Sequence, residues 1–429
     1  MAKVAFVLNI LVASALLAMV PVSGTAQSRE TNPIEAGNIL DDIVPRPPGP
    51  VWDVGVPESG KWFSWKDDVY ERYGLKFGFS YQMLGQYATD TLPDATYDTA
   101  LGHWWGFLAK WTMLDRGGNY EGTLVFSMFE RNAVGNHQVP ATFGFADIGS
   151  LTANVGFTSW DFVIENLYWE QWFKSENSEF MLRVGNQVVT TLLNPFRFKD
   201  ERVSYTNGPW AYHPTIPWPT FGFGTGFKWW PEKESGFYVA GSLNDMNSNP
   251  ALGFDWSTVS ADELFYGLEF GYDWKRSKDD RDHIHLLLFY ADERSSRSPD
   301  TLPNEAGGGF RLLGEKQWGR WVGFAGYTYN TAEGGGVTGT FAKQNFTLGA
   351  AYLNPADITG EISFSLLYLD PIKNIFPDAR NQYGIEAYWR ISLTKNIWIT
   401  PGVHLVFDPA LNPHHDFIAI PHLKFRVVL

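Results

Sequence analysis

From Leu75 onward, apolar and polar side chains alternate along short runs of the chain, and the last run shows this most cleanly. Leu423, Phe425, Val427 and Leu429 form one apolar row, with His422, Lys424 and Arg426 falling between them. Side chains of a strand point alternately to opposite faces, so this segment shows grease to one side and charge to the other. The same period of two marks sixteen segments of strand length, the first at Leu75–Tyr87 and the last at Phe417–Val428. Apolar rows such as Phe221/Phe223/Phe227/Trp229, Leu264/Tyr266/Leu268/Phe270 and Tyr383/Ile385/Ala387/Trp389/Ile391 alternate with glycines and charges.

The connections sort into two sets. Residues 115–119, 231–235, 317–320 and 394–396 are short and turn-like, whereas 133–160, 191–220, 245–263, 294–307 and 332–344 are longer. Short and long alternate along the chain, as an up-and-down barrel with short periplasmic turns and long external loops requires. No blade or nonapeptide repeat competes with that reading. The pattern therefore predicts an all-β chain, an antiparallel transmembrane β-barrel of 16 strands over residues 74–429.

The first residues carry a different signal. Lys3 precedes an apolar run from Val4 to Val20, Pro21 breaks it, and Gly24-Thr25-Ala26 offers small residues for a peptidase. Residues 1–26 are expected to be a cleaved signal peptide, and the lack of a following Cys excludes a lipid anchor. Residues 27–73 read as a periplasmic leader rich in Pro, Asp and Gly. It ends in Trp62, Trp65, Val69 and Tyr73 at near-helical spacing, either a plain linker helix or one covering the periplasmic mouth.

Composition narrows the class further. Aromatics make up 16% of the chain, Gly numbers 42, and mean hydropathy is −0.20. Rings suit the girdles of a barrel, and no later apolar stretch reaches the roughly 20 residues of a membrane helix. With 0 Cys there are no disulfides or thiolate metal sites, and a net charge of −14 argues against nucleic acid. No cofactor or metal is expected.

If apolar rows face lipid, the alternate residues face the lumen. The inward candidates are Glu170, Arg183, Gln187, Lys228, Glu269, Asp273, Arg311, Glu386, Arg390, His404, Lys424 and Arg426. Charges of both signs with Tyr and Trp suit a hydroxyl-rich neutral solute, because carboxylate and guanidinium bind hydroxyls while ring faces stack on sugars. In 16-strand barrels the third external loop typically folds inward, an architectural analogy. Here that loop is residues 191–220. Arg197, Lys199, Asp200, Glu201 and Arg202 would offer hydroxyl partners there, and Trp210 and Trp218 stacking faces.

Several stretches resemble the carbohydrate-selective (OprB-type) porin family of Gram-negative outer membranes. Residues 65–81, WKDDVYERYGLKFGFSY, are similar to its short helix entering the first strand. LYWEQWF (167–173) with FMLRVGNQ (180–187) resembles a strand pair of the family, as residues 218–238 resemble its middle section. Residues 384–412, with Ile399-Thr400-Pro401 before the last strand, match best. Leu429 stands where an aromatic is commoner, and His404 where the family often has Gln. The resemblance implies passive diffusion of mono- and small oligosaccharides across the outer membrane and no catalytic residues. Its partners would be small carbohydrates, outer-membrane lipid and lipopolysaccharide, the barrel-assembly machinery, and in a homotrimer further copies of itself.

Two other classes compete. A general or anion-selective pore would use the same barrel. An outer-membrane hydrolase needs a nucleophile–His–acid set at the rim. The His pairs are His283 with His285, of which His283 is expected at a periplasmic turn, and His414 with His415 beside Asp416 in an external loop. No Gly-x-Ser-x-Gly or His-Glu-x-x-His motif occurs.

Overall fold

A sheet that spans lipid must close on itself, because an open edge would leave backbone donors and acceptors unpaired in hydrocarbon. This chain meets that condition with a closed barrel of sixteen antiparallel strands, each paired with its neighbours in sequence. The computed structural model describes residues 59–429 except 153–155, 212–213, 220, 234, 250–251, 260–262, 275–281, 295–304, 333–339 and 395. The expected signal peptide and the first part of the leader lie outside the described residues.

The strands are β1 (Leu75–Tyr87), β2 (Thr99–Leu114), β3 (Gly122–Ala133), β4 (Trp160–Lys174), β5 (Glu179–Gln187), β6 (Gly222–Trp230), β7 (Phe237–Asp245) and β8 (Leu264–Asp273). They continue as β9 (His283–Ala291), β10 (Gly307–Trp318), β11 (Trp321–Asn330), β12 (Ala342–Leu353), β13 (Gly360–Pro371), β14 (Gln382–Ser392), β15 (Ile397–Phe407) and β16 (Phe417–Val428). β16 closes on β1, with Ser80 opposite Val428 and Gln86 opposite His422.

The outer face is built for lipid. Phe79, Leu268, Leu288, Leu348, Phe364 and Leu366 are exposed along the middle of their strands. Trp111, Tyr120, Trp229, Trp318 and Trp321 are exposed toward the short turns, and Phe162, Tyr266, Tyr290, Tyr383 and Phe417 toward the long loops. Amphipathic rings prefer the two water–lipid boundaries, so these sets form two girdles. Phe221, just before β6, leaves the expected outward row and packs edge-on against the inward Phe129 and against Trp160.

A helix, α1 (Ser59–Tyr73), precedes β1. Gly74 ends it in a left-handed conformation, φ 72°, where a Cβ would lie 2.4 Å from the Thr112 carbonyl oxygen. Trp62 and Trp65 pack on Phe77 of the outward row, which places α1 beside the outer rim at the short-turn end.

Candidate functional site

The loop after β5 does not project from the rim; it folds into the barrel and crosses it. It first descends along β8–β10. The Asn194 backbone N–H donates to Glu269 Oε2 at 2.5 Å, and Arg311 Nε donates to Asn194 Oδ1 at 2.8 Å. Arg197 Nη1 donates to Gln317 Oε1 at 2.5 Å, one residue from the short-turn end of β10. The loop is therefore deepest near Arg197, close to the short-turn end of the barrel.

It then crosses to β16 and climbs. Arg426 Nη1 lies 3.3 Å from Asp200 Oδ2, and Lys424 Nζ donates to the carbonyls of Ser204 and Glu201. The Tyr205 hydroxyl meets Ser363 Oγ on β13 at 2.5 Å. Glu386 on β14 accepts four hydrogen bonds, from Thr206 N (2.6 Å), Thr206 Oγ1 (2.9 Å), Asn207 N (2.9 Å) and Asn207 Nδ2 (2.6 Å). Near the long-loop end of β12, Asn345 Nδ2 donates to Thr215 Oγ1 at 2.9 Å.

Burial along the loop is uneven. Among the described residues from Leu192 to Pro219, only Arg197, Lys199, Asp200, Glu201 and Arg202 are partly exposed. The charged run is thus the least buried part of the crossing. Arg202 and Arg426 overcome the effect of burial and hold the Asp200 carboxyl well below the usual carboxylate range. Burial raises Glu201 to about 7, Asp200 adding to the rise against Arg131, Arg202 and Lys424. Burial pushes Lys199 down to about 7, with Glu269 opposing and Arg311 reinforcing.

The tryptophans play a different part from the one expected. Trp210 is fully buried, stacked on Phe196 at 4.7 Å and edge-on to Phe324 on β11 at 4.9 Å. Trp218 is buried against Phe265 on β8 at 5.3 Å. Both rings fasten the loop to the wall and present no open face to a solute, because apolar residues of the loop and of the wall enclose them.

Of the residues expected to line the lumen, all but Arg390 are buried and covered by partners rather than open to water. Arg183 Nε donates to Glu170 Oε2 at 2.8 Å, and Arg183 Nη1 reaches Thr191 Oγ1. Gln187, the last residue of β5, is fully buried. Lys228 Nζ lies 4.1 Å from the Tyr238 ring, whose hydroxyl donates to Glu269 at 2.7 Å. Arg311 also donates to Thr328 Oγ1, and Arg390 pairs with Glu361. His404 meets Thr152 Oγ1 at 3.4 Å, and Asp273 bonds His283 at 2.7 Å. Glu269, Arg311, Glu386, Lys424 and Arg426 act as tethers for the crossing loop.

Two features escaped the sequence reading. The loop after β3 also folds inward. Gln382 accepts from the Leu151 backbone N–H at 3.1 Å and donates to Ser150 Oγ at 2.8 Å, and the Gly208 N–H donates to the Thr152 carbonyl. Its length was the only signal, since residues 140–152 hold a single charge, Asp147. Second, His283 is not a turn residue but, like His285, belongs to a strand. They begin β9, face inward and are buried, because the strand starts at the position assigned to the turn. Glu361 was readable by alternation, with Ser363 and Ser365 on the same buried row.

No family model matches the sequence, and no curated protein does. Solved structures match it in fold. Pseudomonas putida OprB at high pH superposes with a TM-score of 0.65 at 11% identity, covering 86% of this chain and 97% of that one. Its low-pH structure has the same identity and coverage with a TM-score of 0.50. A mutant of the Rhodopseudomonas blastica porin covers 83% of this chain and 100% of its own at 12% identity, TM-score 0.46. At such identities the likeness is one of fold.

Proposed function

We propose that this protein is an outer-membrane porin through which small carbohydrates diffuse passively and selectively. The observation that carries the reading is the partly exposed run Arg197–Lys199–Asp200–Glu201–Arg202 on a loop crossing the lumen. Guanidinium groups donate and carboxylates accept, so the run can hydrogen-bond a polyhydroxyl solute from several sides. The mixed signs weaken preference for either ion. The OprB fold likeness and the sequence resemblance support the same solute class. The lipid-facing girdles and the alternating tail support insertion by the barrel-assembly machinery, beside lipopolysaccharide, after cleavage behind Ala26. Assembly as a homotrimer belongs to the same proposal.

Liposome swelling with sugars of increasing size tests it. Entry should fall off with size, and replacing residues 196–204 by a short Gly/Ser link should raise conductance and abolish the discrimination together. Unchanged swelling after that replacement would mean that selection occurs elsewhere.

A general or anion-selective pore is separated by the zero-current potential in a salt gradient. Below pH about 7 the run carries Arg197, Lys199 and Arg202 against Asp200. Above it, Lys199 loses its proton and Glu201 gains a charge, leaving two of each sign. A weak anion preference at low pH should therefore fade as pH rises through about 7, and Glu201→Gln should remove part of the change. Strong anion selectivity at every pH favours the rival.

A further inference from the structure

A buried hydrogen-bonded chain links the short-turn end of β8 to the descending loop. His283 Nδ1 lies 2.7 Å from Asp273 Oδ1, and His283 Nε2 lies 2.7 Å from His285 Nδ1. His285 Nε2 lies 3.1 Å from Asn194 Oδ1. Proton positions along this chain follow from its far end. Arg311 Nε donates to Asn194 Oδ1, and a guanidinium has no acceptor, so the atom facing His285 is the amide oxygen. His285 Nε2 must then carry hydrogen.

From there the alternatives are few. If His285 is neutral, its Nδ1 accepts, His283 Nε2 donates and His283 Nδ1 accepts, so Asp273 must be a protonated acid. If Asp273 is a carboxylate, one imidazole must be an imidazolium. Either way every link is satisfied only when the three groups hold one proton beyond a carboxylate and two neutral rings. Without it, two lone pairs face each other in a buried site, which is unfavourable. We infer that Asp273, His283 and His285 together form a site for one proton, and that this proton latches the crossing loop at Asn194. When the proton leaves, the longest link, to Asn194, is the one that opens.

The surroundings are mixed in charge. On β8, Glu269 Oε2 lies 3.9 Å from His285 Nε2, and on β7 the Tyr238 ring lies parallel to His283 at 6.1 Å. Glu315 on β10 stands opposite His283 in the register, while Lys228 on β6, Arg311 on β10 and Lys199 on the loop act on His285. Asp273 Oδ2 has no hydrogen-bond partner among the described residues, which suits a carboxyl that shares a proton through Oδ1. The latch should hold at low pH and release as pH rises through the titration of the chain. Its effect on transport rests on the porin reading; the latch itself does not.

Hydrogen exchange of the full chain, folded in detergent, tests the latch without requiring conductance. Protection of residues 192–198, corrected for intrinsic rates, should fall about tenfold from the acidic to the alkaline end of the pH range over which the barrel stays folded. Asp273→Asn can donate an amide hydrogen to His283 without titrating, so its loop should stay protected at both ends. Asn194→Ala should be weakly protected at both. Wild-type protection that does not depend on pH, or an unchanged dependence in Asp273→Asn, overturns the inference. Proton-linked protection in a barrel that passes no solute supports the latch and overturns the porin reading instead.

Discussion

The two walls that hold the crossing loop do so by different chemistry. On the β13–β16 side, Glu386 takes four donors from Thr206 and Asn207, and Lys424 reaches two loop carbonyls. A carboxylate with several donors is satisfied in its ionised state, so this anchor needs no extra proton. On the β8–β10 side the loop hangs on Asn194, whose side chain ends the Asp273–His283–His285 chain. One wall is a fixed clamp and the other depends on a proton. The difference shows that inward charges of similar burial do unlike jobs according to what faces them.

Removing the fixed clamp should have the largest effect. Glu386→Ala leaves four donors without their acceptor and should destabilise the loop position by about 3 kcal/mol, given the worth of hydrogen bonds to charged groups. Single-channel conductance should rise and become noisy while the barrel still shows heat-modifiable migration on gels. An unchanged conductance would show that the clamp is dispensable.

Asn194→Ala should cost less, about 1–2 kcal/mol, because the backbone bond to Glu269 survives. The expected signature is brief flicker between two conductance levels. Tyr205→Phe deletes the hydroxyl's bonding to Ser363 and Ser365 and keeps the ring packing, so about 1 kcal/mol is expected from exchange of residues 203–211. Smallest of all should be the coupling in the Glu386→Ala/Asn194→Ala pair. The residues share no partner, so their effects should add within a few tenths of a kcal/mol. A larger coupling would mean that the loop moves as one rigid piece.

Much of this was readable along the chain. Leu264 to Asp273 alternates so regularly that Glu269 and Asp273 fall on the inward row whatever their neighbours. Glu386 and Lys424 were placed the same way. What Glu386 binds was not readable, since Thr206 and Asn207 lie about 180 residues earlier in the chain. Trp210 illustrates the same limit. A ring beside a charged run reads as a stacking face, and only its contact with Phe324 on a distant strand reveals it as packing. His283 fell on a boundary, where a shift of one residue converts a turn position into a buried one.

The sequence by itself determined the barrel. Side-chain alternation and connection length are local properties, and a membrane-spanning sheet has one way to satisfy its backbone, which is to close. The tertiary structure decided which inward groups meet water and which are covered by the inserted loops. That outcome depends on how deep residues 191–220 descend and where they touch the wall. Those contacts join residues far apart in the chain, and no local period encodes them.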